Sequence, residues 1–468
     1  MSFVSGSARS DLQEIPFGAN EEVAGPAYQV TRPVQASERI SSLDVLRGFS
    51  LMGILLMNIT SFALPEWDYY IPLTTVKPVF SGPYWKVNTV MWFLRWVLAE
   101  GKMRALFSML FGAGVILMTS RAEERGAGIK TADIFTRRNM WLTLFGILHC
   151  YLIWNGDILF FYGLIALLFL FPCRNLRPKK LLWAGVLVLL LNSVVFNGGR
   201  YLQALSQKAE AEKVNAALAS HRRIDEKQVT ALREWKKTQE DWRPSNKIMY
   251  EDIAAMQQGY WSSVVHSAPV SYFMETFNVY FGFGDVLGMM LIGMGLLRNG
   301  FLSARLSLRT YALTAIVSLG ITWPVVFAGA WHAWSSHFDQ MESMKALYFT
   351  YDLGRIGGAL GNAAAVLVFV KLGAFRWLLD KVAKVGQMAL SNYLLTSSSM
   401  KLLFVWSPLH WYGYMEYWKL YIVVACMWAV NLIWSTLWLR HFRFGPVEWL
   451  WRSLTYWKRQ PMLQSIES

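Results

Sequence analysis

Apolar runs long enough to cross a lipid bilayer recur along this sequence and constrain its fold more than any other feature. A helix that spans the hydrocarbon core needs about 20 mostly apolar residues, and its backbone hydrogen bonds are satisfied internally. The sequence therefore predicts an all-α integral membrane protein with about ten transmembrane helices. The predicted spans are 42–64, 103–120, 138–154, 157–172, 180–198, 272–297, 309–331, 352–372, 385–406 and 417–439.

The composition argues against a soluble enzyme. Only 16% of the residues are charged, whereas soluble domains carry about 25%. The net charge of +14 comes from short basic clusters on alternate connections, which is the pattern of cytoplasmic loops. This orientation places both termini in the cytoplasm and makes lipid headgroups, rather than nucleic acid, the expected partner of the basic residues.

Three polar segments divide the predicted membrane bundles. Residues 1–40 lack the apolar stretch of a signal peptide and are expected to form a disordered cytoplasmic tail. Residues 199–271 are rich in Ala, Glu, Lys and Gln and predict an extracytoplasmic helical insertion between the bundles 41–198 and 272–440. Residues 441–468 alternate aromatic and basic side chains, which predicts a cytoplasmic interfacial helix and tail.

The first span carries three polar residues of interest. Asp44 and Arg47 are three residues apart near its cytoplasmic end and can pair, either as an interfacial anchor or as part of a site. Asn58 follows about 16 Å farther along the helix, in its outer half. Its amide requires a partner, and an interhelical hydrogen bond is the structural alternative to a functional role.

The densest polar cluster in an apolar context lies where the third and fourth spans meet. His149 can act as a general base because its unperturbed pKa is near neutrality. Asp157, across a tight turn, can orient the imidazole ring and stabilise its protonated form. A satisfied packing histidine is the alternative.

Other ionisable residues within or beside the spans form a second group of candidates. Glu100, Lys102 and Arg104 follow an apolar segment, 85–100, that predicts an outer interfacial helix. If the helix continues, Glu100 and Arg104 form a surface salt bridge.

Asp285 falls near the middle of the sixth span and must pair, line a hydrated cavity or be protonated. Arg355 is a candidate partner if the two helices meet at the same depth. The histidines and cysteines lack metal-ligand spacing, so no metal site is predicted.

Several separated motifs occur in order over about residues 40 to 460: LDVLRG (43–48), GILLMNI (53–59), EGK (100–102), LFS (106–108), FGAG (111–114), LHCYLIWNGDIL (148–159) and FRFGPVEWLWR (442–452). Together they resemble the YeiB-like family of uncharacterised bacterial polytopic membrane proteins. The resemblance implies a multi-pass protein of the bacterial inner (plasma) membrane, in a family whose function is poorly defined.

The opening helix is also similar to that of the transmembrane acyltransferase superfamily, which includes the heparan-alpha-glucosaminide N-acetyltransferases. These enzymes carry acyl groups from cytoplasmic acyl-CoA to acceptors across the membrane. Arg47 matches an arginine of that helix, and Asn58 stands as in the heparan branch. That branch has its catalytic histidine in the next loop, where residues 59–100 contain none. Either His149 has taken over proton transfer, or acyl transfer has been lost.

The resulting hypothesis is an acyltransferase-like protein that uses acyl-CoA, such as acetyl-CoA, as donor. Arg47 and Asp44 would bind CoA, Asn58 would position the thioester, and His149 with Asp157 would deprotonate a hydroxyl or amine of a small-molecule or glycan acceptor.

Two alternatives remain open. One is a transporter or exporter of a small metabolite that uses Asp285 and His149 for proton coupling. The other is a non-catalytic membrane protein that serves as an assembly partner. A homodimer is a further possible assembly.

Overall fold

The computed structural model describes residues 41–77 and 79–464. The predicted disordered tail, 1–40, therefore lies outside the described residues. The helices are α1 (Ser41–Ala63), α2 (Trp85–Leu98), α3 (Lys102–Glu124), α4 (Lys130–Leu152), α5 (Leu159–Cys173), α6 (Pro178–Ala219), α7 (Glu226–Trp242), α8 (Asn246–Gln257), α9 (Tyr260–Arg298), α10 (Leu308–Ser335), α11 (Gln340–Leu372), α12 (Arg376–Gln387), α13 (Ala389–Lys401), α14 (Tyr417–His441) and α15 (Pro446–Tyr456). Two short 3₁₀ turns, Glu66–Tyr69 and Pro72–Thr74, connect α1 to α2.

Among the described residues, six helical segments are long and apolar enough to cross a membrane. They are Ser41–Ala63, Trp85–Glu124, Pro178–Ala219, Leu308–Ser335, Gln340–Leu372 and Tyr417–His441. A seventh is α9, if its halves Tyr260–Phe277 and Gly282–Arg298, which meet at 60°, form one span. The prediction of an all-α membrane protein is confirmed.

Three predicted spans do not form long apolar helices. The span 138–154 lies in α4, whose first half is polar, and 157–172 lies in the shorter α5. The span 385–406 is divided between α12 and α13, which continues as a π turn over Leu402–Trp406. The count of ten spans stays a prediction.

The central helix of the bundle is α1, which contacts α3, α12, α13 and α14. Its first half belongs to one large hydrophobic cluster, through Leu46, and its second half belongs to another, through Ile59. Hydrophobic burial on both halves holds α1 against its neighbours. The helix thereby fixes the positions of its polar residues Asp44, Arg47 and Asn58.

Residues 199–271, which we call the cap, do not form a separate unit in the chain path. Helix α6 runs without a break from the bundle into the cap, and α9 runs from the cap back into the bundle. Both predicted boundaries, after residue 198 and before residue 272, therefore fall inside helices. Between them, α7 and α8 pack on the bundle, where the Trp242 indole donates to the carbonyl of Phe338 at 3.1 Å.

The segment 85–100 differs from the predicted outer interfacial helix. Helix α2 buries Trp92 and Arg95 on one face and exposes Val90 and Leu94 on the other. It packs against α10 and α14. Gly101, with a φ of 71°, then turns the chain into α3.

Candidate functional site

Two internal cavities among the described residues lie along the bundle and share Tyr162 as a wall. The first, of about 190 Å³, we call the aspartate cavity; its polar lining is Asn58, Glu66, Arg104, Asn155, Asp157 and Asp285. The second, of about 250 Å³, we call the arginine cavity; its charged lining is Asp44, Arg47, Arg121, Arg138, Glu448 and Arg452.

His149 and Asp157 form the hydrogen-bonded pair that their spacing suggests. His149 Nδ1 lies 2.8 Å from Asp157 Oδ1, and the two side chains are only 1% and 3% exposed. The second carboxylate oxygen, Oδ2, accepts a hydrogen bond from the backbone N–H of Phe160 at 2.7 Å, at the start of α5. The carboxylate thus anchors α5 and fixes the imidazole ring together.

Gly146 permits this arrangement. A Cβ atom on this glycine would lie 2.1 Å from the backbone nitrogen of Phe160 and 2.8 Å from Asp157 Oδ2. Only glycine allows α4 and α5 to approach closely enough for Asp157 to reach His149 across the tight turn.

His149 itself lines neither cavity, but it contacts one residue of each. Asp157, its partner, lines the aspartate cavity, while Tyr393, whose ring centroid is 5.0 Å from that of His149, lines the arginine cavity. The Nε2 atom of His149 and the hydroxyl of Tyr393 are buried and have no hydrogen-bond partner among the described residues. Because such groups are costly to leave unsatisfied, both are available to a bound molecule.

Asn58 faces the aspartate cavity from α1. Its side chain forms no hydrogen bond with the residues that the structure describes, so the expected interhelical bond is not made there. The structure brings Asn58 and Asp157 to one cavity, with His149 directly behind Asp157.

Asp285 is held by two arginines from different helices. It contacts Arg104 of α3 at 3.1 Å and also Arg355 of α11, which in turn pairs with Asp352. The helices therefore do meet at the depth that the predicted Asp285–Arg355 pair required. Arg104 also donates to the hydroxyl of Tyr351 at 3.3 Å.

The predicted surface salt bridge between Glu100 and Arg104 is wrong, because the chain turns at Gly101 between them. Glu100 is 2% exposed and accepts a hydrogen bond from the Tyr69 hydroxyl at 2.9 Å. Its ion-pair partner is Arg95, at 3.3 Å, whose side chain is fully buried.

Lys102 is equally buried, and its Nζ donates to the carbonyl of Trp96 at 3.0 Å. Neither Glu100 nor Lys102 is among the residues that line the two cavities. Both stabilise the junction of α2 and α3, which positions Arg104 for the aspartate cavity.

Two carboxyl groups in the 3₁₀ turn after α1 have altered protonation. Burial raises the pKa of Asp68 to about 8, although the hydroxyl of Thr74, 2.5 Å away, opposes the shift. The surrounding protein and the nearby Asp252 carboxylate also raise the pKa of Glu66, which lines the aspartate cavity although its side chain is partly exposed.

The arginine cavity is lined on one side by α15, which begins at Pro446. Trp451 donates its indole N–H to the carbonyl of Arg138 at 2.8 Å, and the Arg138 guanidinium stacks 3.6 Å from the Trp451 ring centroid. Glu448 accepts hydrogen bonds from the backbone N–H groups of Leu390 and Ser391. The helix is therefore docked on α4 and α13.

The predicted pair of Asp44 and Arg47 is present at 2.9 Å in the arginine cavity. Arg121, Arg138 and Arg452 line the same cavity, although they belong to separate basic segments of the sequence. Their convergence joins residues hundreds of positions apart, so no local pattern indicates it. The described residues contain no group of three or more His, Cys, Asp or Glu side chains placed to hold a metal ion.

Comparison with known proteins finds relatives over nearly the whole chain. The chain is 29% identical over 453 residues to the uncharacterized protein YxaH of Bacillus subtilis, covering 93% of this chain and 99% of the relative. It is 29% identical over 421 residues to the uncharacterized protein YeiB of Escherichia coli, covering 89% and 96%. An uncharacterized 39.9 kDa protein from the amylase 3' region of Bacillus acidopullulyticus is 24% identical over 437 residues, covering 93% and 99%.

The C-terminal part of the chain, residues 296–458, matches the family described as "Protein of unknown function (DUF418)". No solved structure matches the chain. The motifs, the helical membrane architecture and the relatives that align over nearly the whole chain agree with one another and support its assignment to a YeiB-like family of uncharacterised proteins.

Proposed function

We propose that this protein is a membrane acyltransferase that moves an acyl group from acyl-CoA to a hydroxyl or amine acceptor on the opposite side of the membrane. The observation that carries the proposal is the buried His149–Asp157 pair, in which Asp157 lines one cavity and His149 contacts Tyr393 of the other. A carboxylate on one ring nitrogen fixes the tautomer and leaves the other nitrogen as a general base.

The orientation follows the basic clusters. We place the arginine cavity at the cytoplasmic face of the bacterial inner membrane and the cap outside, in accordance with the positive-inside rule. Arg47, near the start of α1, and Arg452, near the end of the chain, line the same cavity, which supports cytoplasmic placement of both termini.

Each cavity then serves one substrate. Acyl-CoA enters the arginine cavity, where Arg47 pairs with a phosphate and Asp44 holds the guanidinium in place. Its thioester extends toward Tyr393 and His149. The acceptor enters the aspartate cavity, where Asn58 presents an amide for hydrogen bonding.

His149 carries the proton in this reaction. Nε2 removes the proton from the acceptor hydroxyl or amine as that group attacks the thioester carbonyl, and Asp157 stabilises the imidazolium. The carbon–sulfur bond breaks, and His149 returns the proton to the departing thiolate. Acylated acceptor and free CoA leave on opposite sides.

The test compares His149→Ala with a matched histidine outside both cavities. His266 of the cap pairs with Asp252 at 2.8 Å and is 38% exposed, so His266→Ala controls for loss of a His–Asp pair. Radiolabelled acetyl-CoA is enclosed in proteoliposomes in which the proposed cytoplasmic face of the protein points toward the lumen, and glucosamine is added outside as the acceptor probe. Acetyl transfer and acetyl-CoA binding are then measured. We expect His149→Ala to lower transfer by roughly 10²–10⁴-fold while binding persists. Equal rates in wild type and His149→Ala would overturn the role of His149.

A second candidate, proton-coupled transport of a small metabolite, is favoured by the two cavities that share Tyr162 as a wall. Such transport requires Asp285 to exchange a proton during each cycle. Asp285→Asn is expected to abolish proton-dependent flux in vesicles if the protein is a transporter. Flux that persists in this variant would exclude that coupling role.

A further inference from the structure

The arginine cavity gathers guanidinium groups from four helices. Arg47 comes from α1, Arg121 from α3, Arg138 from α4 and Arg452 from α15. All four side chains are half-buried, unlike Lys179 and Lys180 at the start of α6, which are exposed. Basic side chains that only anchor a helix among lipid headgroups extend outward to water. The four arginines instead converge on a cavity, so anchoring alone does not explain their position.

The carboxylates that line the cavity do not balance this charge. Asp44 is paired with Arg47 at 2.9 Å. Glu448 is engaged by the backbone N–H groups of Leu390, at 2.7 Å, and Ser391, at 3.0 Å, near the start of α13. By formal count, four arginines and two carboxylates therefore line the cavity.

Arg138 is the centre of this charge. It lies within electrostatic range of both Arg47 and Arg452. Like charges held close in a partly desolvated cavity repel one another, and an anion bound among them removes that cost. Arginine is suited to this task because its planar fork matches two phosphate oxygens at once.

The cavity is not polar throughout. Phe107, Phe111, Leu142 and Leu159 also line it, and the ring centroids of Phe107 and Phe111 lie 6.0 and 5.1 Å from that of Tyr162. A ligand that fills it would place an anionic head among the arginines and extend a neutral or apolar part toward Tyr162, in the direction of His149. The volume of about 250 Å³ is close to the lower end of the range for small-molecule sites, about 300 Å³.

We propose that the arginine cavity is a binding site for a phosphate-bearing ligand, held by Arg138 and Arg452 together with Arg47 and Arg121. Helix α15 is then part of the binding site, since it supplies Arg452 and orients Arg138 through Trp451. Assigning this ligand to the donor side of acyl transfer rests on the proposed function, but the phosphate site itself does not. The phosphate can belong to a soluble nucleotide such as CoA or to the headgroup of an anionic lipid.

The experiment uses the full chain, purified without lipid in a neutral maltoside detergent. Binding of CoA and adenosine 3′,5′-bisphosphate is measured by calorimetry, with adenosine as the probe without phosphate, and binding of phosphatidylglycerol is measured by native mass spectrometry. Variants are Arg138→Gln, Arg452→Gln and, as matched control, Arg137→Gln. Arg137 neighbours Arg138 on α4 but pairs with Asp133 at 3.0 Å and does not line the cavity.

We expect a phosphate-bearing probe to bind, with affinity reduced at least about tenfold in Arg138→Gln and Arg452→Gln and unchanged in Arg137→Gln. Arg138→Lys, which keeps the charge and loses the fork, is expected to lie between. Thermal unfolding tests whether each variant is folded. If Arg138→Gln does not fold, the binding measured with Arg452→Gln decides the outcome.

The outcomes separate this inference from the proposed function. Binding of CoA or the bisphosphate with the expected sensitivity supports both. Binding of phosphatidylglycerol alone, with the same sensitivity, supports the phosphate site and overturns acyl-CoA as donor. Failure of every phosphate-bearing probe to bind, or an equal loss in Arg137→Gln, overturns the site.

Discussion

Asp157 performs two tasks with its two carboxylate oxygens. One fixes His149 and the other accepts the amide hydrogen of Phe160 at the start of α5. A single residue thus couples the orientation of a chemical group to the packing of a helix, and the two tasks can be separated by substitution.

Asp157→Asn retains an oxygen for the Phe160 amide but removes the negative charge that stabilises a protonated His149. Acyl transfer is expected to fall by roughly 10²–10⁴-fold, while the thermal unfolding midpoint stays near that of the wild type because Asn accepts the same type of hydrogen bond. Transfer rates and unfolding curves of Asp157→Asn and Asp157→Ala check this. A lower midpoint in Asp157→Ala than in Asp157→Asn is required, and equal rates in wild type and Asp157→Asn would contradict the assignment.

Asp68 predicts a pH dependence of stability. Burial raises its pKa in the folded protein to about 8, so the folded state binds a proton that the unfolded state has already released. The stability contributed by protonated Asp68 is complete below about pH 4 and is lost as the pH rises toward 8. Asp68→Asn mimics the protonated form and is expected to raise the unfolding free energy at pH 8 by an amount on the order of 1 kcal/mol.

The measurement is the difference in unfolding midpoint between Asp68→Asn and wild type at pH 5 and pH 8. Taking this difference removes the titration of Glu66 and other groups common to both proteins. A difference that does not grow with pH would show that Asp68 is not buried as described.

At the scale of elements, the junction of α2 and α3 is stabilised by charges that water does not reach. Arg95 donates to Thr60 of α1 at 2.7 Å and to the carbonyl of Tyr69 at 2.9 Å, in addition to its pair with Glu100. Breaking a buried pair leaves an uncompensated charge, which is far more costly than losing a surface pair.

Glu100→Gln is therefore expected to lower the unfolding free energy by about 3–5 kcal/mol. The matched control is Glu123→Gln, since Glu123 pairs with Arg174 at 3.0 Å but is 42% exposed, and its loss is expected to cost about 0–1 kcal/mol. Denaturant unfolding in detergent compares the two. Similar losses in both variants would be inconsistent with a buried network at this junction.

Part of this architecture could be predicted from local patterns, and part could not. Helices α1, α10 and α14 follow from apolar runs, although the protein buries most of α1 and leaves most of α10 and α14 at the surface of the bundle. The predicted spans 157–172 and 385–406 correspond instead to the shorter α5 and to a segment divided between α12 and α13.

The same distinction applies to the candidate site. His149 and Asp157 are separated by eight residues, so the tight turn between two helices already indicates their contact. Arg104 and Asp285 are 181 residues apart, and only the relative depth of α3 and α9 brings them together. The Glu100–Arg104 pair failed because a single glycine changes the direction of the chain.

At the scale of the whole molecule, the first and last helices of the described chain converge. The beginning of α1 and helix α15 line one cavity, so both lie at the same end of the bundle. The proposed orientation therefore requires an even number of membrane crossings. We expect reporter fusions at the two termini to locate to the same, cytoplasmic side.

Alkaline phosphatase and fluorescent protein fusions at each terminus, with a third fusion inside α7, measure this topology. The terminal phosphatase fusions are expected to be inactive and the α7 fusion active. Opposite results at the two termini would contradict the shared cavity, and an inactive α7 fusion would contradict the external cap.

The predicted cap boundaries fall inside α6 and inside the first half of α9, which has a practical consequence for anyone who exchanges parts between relatives. A graft cut at residues 199 and 271 severs two helices in mid-course and discards the backbone hydrogen bonds of both. Splicing at the ends of the helices, after Ala219 and before Tyr260, keeps α6 and α9 whole. Residues 220–259 of the cap are thus the part that can be exchanged, whereas the cap portions of α6 and α9 belong to the bundle.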